Sequence, residues 1–120
     1  MYKKIVFLAL LPLLASAEDF ISDFEYGQML YNEPRGVSCV PCHGDTGAGR
    51  DIASYTDKYG KKVMLSGPDI RKATLKELIY SLKKGKGIMP KYFFTDNEIE
   101  RIYAYIQKVN KKSDNNATSN

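Results

Sequence analysis

A five-residue segment, Cys39-Val40-Pro41-Cys42-His43, contains both cysteines and the only histidine of the 120-residue chain. In helical geometry, two cysteines three positions apart project from nearly the same face, and the histidine follows one step further round. That arrangement suits a haem held by two thioether bonds, with the neighbouring imidazole meeting the iron from one side. Because Cys-x-x-Cys-His is the attachment signature of haem c, the segment predicts one haem bound covalently through Cys39 and Cys42, with His43 as an iron ligand.

Other uses of these three side chains fit the sequence less well. A structural zinc site takes four Cys or His ligands, whereas the chain offers three. A redox-active dithiol is expected at a strand-to-helix junction in a βαβ unit, and the sequence lacks that pattern. A disulfide between Cys39 and Cys42 would close too small a loop to add much stability.

The second axial position of such a haem iron would need another ligand, and the chain has no further histidine. The alternatives are Met29, Met64, Met89, a lysine, a tyrosine or no ligand. Met89 is the best placed, because it lies in Gly85-Lys86-Gly87-Ile88-Met89-Pro90, where two glycines let the backbone approach a flat ligand and the proline restricts φ. Met29 and Met64 are interpreted instead as residues that fill gaps in the core.

Three helices are predicted to position these residues. Apolar and small side chains at helical spacing predict the first over residues 19–30. Two Thr-x-x-Glu capping boxes, each followed by an apolar stripe, predict the others over 74–84 and about 96–108. The glycine-rich stretch 44–67 is interpreted as loop with at most one short helical turn. We therefore expect an all-α class, with three main helices and long loops wrapped around one covalently bound haem.

Residues 1–17, MYKKIVFLALLPLLASA, have the pattern of a secretory signal peptide: a basic start, an apolar run and a small-x-small cleavage site. The apolar run is about half of the roughly 20 residues that span a bilayer, and Pro12 interrupts it. We expect export to the periplasm and no membrane span after cleavage. The remaining chain is expected to form one domain over residues 18–110 and a polar, disordered tail over 111–120.

The charge balance limits the classes of partner. The formal net charge of the whole chain is +4, and removal of residues 1–17, with two lysines and no acids, leaves 16 basic and 14 acidic side chains, or +2. That excess is too small for a nucleic-acid binder driven by bulk positive charge.

The chain also has no tryptophan and a glycine-rich middle. Its core would therefore be thin, unless a large apolar cofactor fills it.

Taken together, these features resemble a small class I c-type cytochrome, a monohaem periplasmic electron carrier. The resemblance covers nearly the whole chain after residue 17. It rests on the motif Cys39–His43, on Met89-Pro90 some 46 residues after His43, and on the apolar pattern of the last helix. It implies a fold in which the first and last helices cross where a small residue meets an aromatic one, and a carrier function.

The resemblance also assigns roles to residues outside the motif. Gly27 with Tyr31, and Ile102 with Tyr105, resemble the contact between the terminal helices. In the family, a Gly-Pro pair after the haem motif supplies a carbonyl to the outer nitrogen of the histidine, and Gly67-Pro68 looks like that pair. The connections Tyr31 to Cys39 and His43 to Pro68 are longer here than is usual for the family.

With both axial positions filled, the iron would have no open coordination site. The expected function is that of a monomeric carrier of single electrons, not an enzyme, with redox partners such as an oxidase, reductase or peroxidase. Four lysines would flank the exposed haem edge and guide docking, unless they simply form a solvated face: Lys83, Lys84, Lys86 and Lys91. The alternatives are a haem enzyme or gas sensor with a labile methionine, and a haem-free metal or thiol protein.

Two further groups of side chains are expected near the haem. Arg50 and Arg71 are candidate partners for its propionates. Tyr92, Phe93 and Phe94 are interpreted as core packing over the haem rim beside the methionine.

Overall fold

The computed structural model describes residues 20–118, so the signal peptide predicted over 1–17 lies outside the described residues. The described chain forms six elements: α1 Asp23–Asn32, α2 Val40–His43, β1 Arg50–Thr56, β2 Lys62–Gly67, α3 Leu75–Lys84 and α4 Asp96–Ala117. The three helices expected from the sequence correspond to α1, α3 and α4.

Each of these three helices begins with a capping box. Ser22, Thr74 and Thr95 accept a hydrogen bond from the amide of the glutamate three residues later, and that glutamate accepts one from the cap amide. These bonds satisfy amides that have no partner within the helix. The boxes at Thr74 and Thr95 therefore begin α3 and α4 as predicted, whereas α1 begins at Asp23, later than the predicted start at Asp19.

Helices α1 and α4 pack at Gly27, where the two backbones are too close to admit a side chain. A Cβ at Gly27 would overlap the backbone carbonyl of Arg101. Beside this point the rings of Tyr31 and Tyr105 lie 5.4 Å apart, and Ile102 is buried. The contact implied by the resemblance is therefore present. The buried apolar residues around it form the core: Leu30, Tyr31, Leu78, Leu82, Phe94, Ile99, Ile102, Tyr105 and Ile106.

The prediction of an all-α class with three main helices is wrong, because residues 50–67 contain a two-stranded antiparallel sheet. The register places Tyr55 opposite Val63, with an irregularity between Asp51 and Ala53. Every residue of β1 is exposed. A strand without a buried face lacks the alternation of apolar and polar residues that identifies strands, so the sequence of this stretch favours loop instead.

The turn between β1 and β2 is closed by Asp57. Its amide donates to the carbonyl of Lys61 across 2.8 Å. Its carboxylate accepts from the amides of Tyr59 and Lys61, at 2.9 Å each. Local bonds therefore hold the tip of the hairpin, which a pair of strands with little buried surface needs for its stability.

Helix α4 continues to Ala117 and so includes most of the segment 111–120 that the sequence predicts as a disordered tail. Its sequence contains neither glycine nor proline between Asp96 and Ala117, so nothing interrupts the helical backbone. Residues 111–117 are exposed and lie beyond the last core contact. Although α4 is the longest described helix, none of the described helices is long and apolar enough to cross a bilayer.

Candidate haem site

The cysteine motif forms a single helical turn, α2, with Cys39 at its N-cap. The amide of His43 donates to the carbonyl of Cys39 across 2.8 Å, and the amide of Gly44 donates to the carbonyl of Val40 across 2.8 Å. Gly44 ends the turn with φ of +76°, a left-handed value that favours glycine. The helical spacing expected of Cys39 and Cys42 is therefore present.

Tyr31 holds both ends of this turn. Its carbonyl accepts from the amide of Cys39 across 3.2 Å, and its hydroxyl donates to the carbonyl of Gly44 across 2.6 Å. Burial is the main cause that raises the pKa of Tyr31, with the charge of Cys39 next, so its hydroxyl stays protonated and able to donate. Since Tyr31 lies on α1, these two hydrogen bonds connect the core helices directly to the motif.

His43 is buried, with 8% of its surface exposed. Its Nδ1 lies 2.8 Å from the carbonyl oxygen of Pro68. A carbonyl can only accept, so Nδ1 carries the proton and Nε2 is left with a free lone pair. An outer hydrogen bond of this kind is typical of histidines that ligate metals. The partner that the resemblance implied for His43 is therefore confirmed as Pro68.

Two glycines allow Pro68 to reach the histidine. A Cβ at Gly67 would overlap the carbonyl of Cys42, and a Cβ at Gly49 would crowd the carbonyl of Gly67. Gly49 also has φ of +86°, which other residues rarely adopt. The two ends of the hairpin therefore meet directly against the cysteine motif.

Two neighbouring cavities, of about 640 Å³ and 420 Å³, border the cysteine motif and the loop after α3, and the larger one is also lined by residues of α3 and α4. Each volume falls within the range of about 300–1,000 Å³ that is typical of cofactor pockets. Both cavities are lined by the same five residues: Cys39, His43, Pro68, Lys86 and Met89. Apolar side chains of the core helices line the larger cavity, including Leu78, Leu82, Ile102 and Ile106. Cys42 lines the smaller one.

Met89 differs from the other methionines proposed as ligands. It lines both cavities and packs against the core. Met29 and Met64 are 43% and 53% exposed and line neither cavity. Their interpretation as core residues is therefore wrong, since one lies on the outer side of α1 and the other on an exposed strand.

A short turn holds Met89 in the cavity wall. The amide of Met89 donates to the carbonyl of Lys86 across 2.9 Å, and the amide of Lys86 donates to the carbonyl of Met89 across 3.1 Å. Gly85, with φ of +74°, allows the chain to leave α3 and enter this turn. Gly85 and this turn therefore place Met89 in the wall of both cavities.

Comparison with models of known protein families gives a match. The family model described as cytochrome C oxidase, cbb3-type, subunit III matches residues 22–106. The chain belongs to this family. It is a class I c-type cytochrome. No curated protein and no solved structure matches the chain significantly.

A c-type cytochrome domain carries covalently bound haem c and transfers electrons through it. The residues of this cytochrome domain fit that group. Cys39, His43 and Met89 border both cavities, Cys42 borders the smaller one, and the lining of the larger cavity is largely apolar. A flat macrocycle with an iron centre needs this combination of donors and apolar surface.

The competing uses of the cysteines lack support in the cytochrome domain. Burial, followed by the charge of Cys42, raises the pKa of Cys39 to about 11. Cys39 is therefore a neutral thiol at physiological pH, whereas the thiolate is the reactive form in dithiol chemistry. Among residues 20–118, no group of three or more His, Cys, Asp and Glu side chains could hold a metal ion.

The charged residues around the cavities differ in part from those expected. Arg71 donates to the carboxylate of Asp69, and neither Arg71 nor Arg50 lines a cavity. The cationic lining residues are Lys76, on α3, and Lys86. Lys76 was missed, because a lysine on an amphipathic helix carries no sequence signal that separates it from other exposed cations.

The three aromatic residues after the methionine loop have three different environments. Phe94 is buried in the core, as expected. Tyr92 is half-buried and lines the smaller cavity, and burial raises its pKa to about 12. Phe93 is 94% exposed, so its interpretation as core packing is wrong. Consecutive residues in an extended segment point to opposite sides, which places Phe93 outside.

Proposed function

We propose that this cytochrome domain is a monohaem electron carrier, in which Cys39 and Cys42 bind the haem covalently and His43 and Met89 are its axial ligands. The observation that carries the proposal is that His43 and Met89 line the same two cavities. The free Nε2 of His43, set by its bond to Pro68, supports an iron ligand on one side. The thioether of Met89 supports a ligand on the other.

The bound haem would supply an iron that gains or loses one electron. The chain's own residues determine how that happens. His43 would be held in one tautomer by Pro68, and Met89, as a soft and neutral ligand, would favour the ferrous state and raise the reduction potential. Two filled axial positions leave no site for a substrate. The protein itself would therefore carry out no chemistry beyond electron transfer.

The family description supports redox partners in an oxidase complex. Docking would involve the lysines beside the methionine loop. Lys86 lines both cavities, and Lys84 and Lys91 are exposed nearby in the chain. Lys83 forms an ion pair with Asp96, so its charge is partly neutralised. An acidic partner would be guided to this face by the remaining lysines.

The place of action proposed for the carrier is the periplasm, where it would work as a monomer. Support comes from the sequence of residues 1–17, with its basic start, apolar run and small-x-small site. The protein's mature charge of +2 would be offset further by the haem propionates, so the local group of lysines would matter more than the total.

The experiment that tests the function is a visible spectrum of the exported, purified protein in both oxidation states. A chromophore retained after denaturation shows covalent haem, and its loss would indicate a haem-free metal or thiol protein. If His43 and Met89 are the ligands, we expect a six-coordinate low-spin spectrum with a weak absorption band near the red end of the visible range. Carbon monoxide that bound readily to the native ferrous protein would favour a haem enzyme or gas sensor.

A pair of variants identifies the ligand. Met89→Ala is expected to open the iron to carbon monoxide and to lower the reduction potential, because the soft ligand is lost. Met64→Ala is the matched control, since Met64 is exposed and lines neither cavity. Unchanged spectra in Met89→Ala, or the same change in both variants, would exclude Met89 as the ligand.

A further inference from the structure

Tyr92 is fixed by three separate interactions although it lies just after the exposed methionine loop. Its amide donates to the carbonyl of Leu82, at the end of α3, across 2.8 Å. Its ring stacks on the buried ring of Phe94, with centroids 5.5 Å apart and an angle of 10° between planes. Its hydroxyl donates to the carbonyl of Val37 across 2.5 Å.

The hydroxyl bond joins two separate segments of the chain that line the smaller cavity. Val37 lies two positions before Cys39, in the segment that carries the cysteine motif. Tyr92 lies three positions after Met89, in the segment that carries the methionine. All four of these residues line the smaller cavity. The bond therefore connects the two segments through the protein itself, independently of any ligand between them.

The remainder of the methionine loop has little to restrain it. Ile88 is 67% exposed, and Pro90 and Lys91 are also exposed. Upstream of Met89, the turn to Lys86 restrains only the local backbone. Downstream, Tyr92 is the next residue that is partly buried and bonded to a distant part of the chain. The position of the loop relative to the motif thus depends on Tyr92.

We propose that Tyr92 is a positioning residue, whose hydroxyl bond to Val37 holds the methionine loop against the cysteine motif and so keeps Met89 on the iron. This proposal rests on the axial role of Met89 proposed above. Without the bond, the loop would be free to move away from the motif, and an external ligand would displace Met89 from the bound haem at a lower cost in free energy. Tyr92 itself does not touch the reacting atoms in this role.

The test uses imidazole as a competing ligand for the ferric iron of the intact, haem-loaded protein. In Tyr92→Phe the ring and its stacking on Phe94 are kept and only the hydroxyl is lost. The dissociation constant for imidazole is expected to fall by about three- to tenfold, the size of effect that one hydrogen bond has. Carbon monoxide binding to the ferrous protein should become detectable in parallel.

Tyr105→Phe is the matched control. It also removes a hydroxyl, which bonds the carbonyl of Asp45 across 3.4 Å, but Tyr105 lies in the core and lines neither cavity. We expect the Tyr105→Phe variant to have a lower free energy of unfolding than the wild type and the same affinity for imidazole. Equal imidazole affinity in Tyr92→Phe and the wild type would overturn the proposal, and so would an equal change in both variants.

Failure of this proposal is distinguishable from failure of the proposed function. A wild-type ferrous protein that binds carbon monoxide readily would overturn both, because Met89 would not be on the iron. A wild type that resists carbon monoxide, together with a Tyr92→Phe variant that behaves identically, would overturn only the role of Tyr92.

Discussion

The imidazole of His43 and the carbonyl of Pro68 are joined by a hydrogen bond of 2.8 Å, although the two residues are 25 positions apart. The chain between them forms the hairpin of β1 and β2, in which Arg50 pairs with Gly67. The hairpin therefore leaves the motif and returns to the same point. This explains how the carbonyl of Pro68 reaches His43 although the connection between them is longer than is usual for the family.

Gly67→Ala is expected to destabilise the protein. The new Cβ would overlap the carbonyl of Cys42, so the segment carrying Pro68 would have to move away from the motif. The expected loss is about 1–3 kcal/mol in the free energy of unfolding, typical of overpacking, with a shift in reduction potential. Gly36→Ala is the control, because a Cβ at Gly36 meets only Tyr92, at an ordinary 3.7 Å. Equal stability of the two variants in denaturant titrations would contradict the close approach at Gly67.

Gly27→Ala tests the packing of α1 on α4. In an isolated helix this change would be stabilising by about 1 kcal/mol, because alanine is the better helix former. Here the Cβ would overlap the carbonyl of Arg101, so we expect a net loss of about 1–3 kcal/mol. The sign of the change in the free energy of unfolding, measured with denaturant, decides between the two effects. A more stable variant would mean that the helices do not pack at Gly27.

The stability of the protein should depend on pH through Glu98. Hydrogen bonds from Arg35, and then from the amide of Thr95, lower the pKa of Glu98 to about 2, below its ordinary 4.5. A lowered pKa stabilises the fold at pH values above 4.5, and this contribution is lost as the pH falls from 4.5 towards 2. Glu98→Gln should therefore be less stable than the wild type at pH 7, and the difference should shrink in acid.

Denaturant titrations between pH 2 and pH 7 measure this effect, with Glu100→Gln as the control. Glu100 is an exposed carboxylate on the same helix. Asp69, whose pKa is also lowered to about 2 by Arg71, is present in every variant and cancels from the comparison. A stability difference for Glu98→Gln that stays constant over this range would refute the role of the ion pair with Arg35.

Lys86 should increase the rate of electron transfer to an anionic reagent more than a remote lysine does. The probe is hexacyanoferrate(III), which oxidises the ferrous protein and is attracted by positive charge near the cavity. Lys86→Gln is expected to lower the rate by about two- to threefold at low ionic strength and to weaken its dependence on salt. Lys111→Gln makes the same change in net charge on an exposed turn of α4 and should have a smaller effect. A rate that does not respond to salt would remove electrostatic guidance from the proposed docking.

The parts of the fold that were predictable depend on local interactions. The capping boxes at Thr74 and Thr95 involve residues three positions apart, so the starts of α3 and α4 can be predicted from the local sequence. The site residues Cys39, Cys42, His43 and Met89 are recognisable by type and spacing, and all four line the cavities.

The parts that could not be predicted depend on burial or on distant contacts. β1 is exposed along its whole length and therefore carries no apolar alternation. The bond between Tyr92 and Val37 joins residues 55 positions apart, and nothing in either neighbourhood identifies the partner. The same holds for Arg35, whose partner Glu98 lies on the last helix.

The packing of α1 on α4 also bears on when the cysteine motif becomes enclosed. Four of the nine buried core residues lie on α4, namely Ile99, Ile102, Tyr105 and Ile106. A chain in which α4 has not yet packed on α1 therefore lacks much of its core, because this contact joins distant parts of the sequence. Cys39 and Cys42 lie between the two helices in the chain. We therefore expect both thiols to stay accessible until α4 packs.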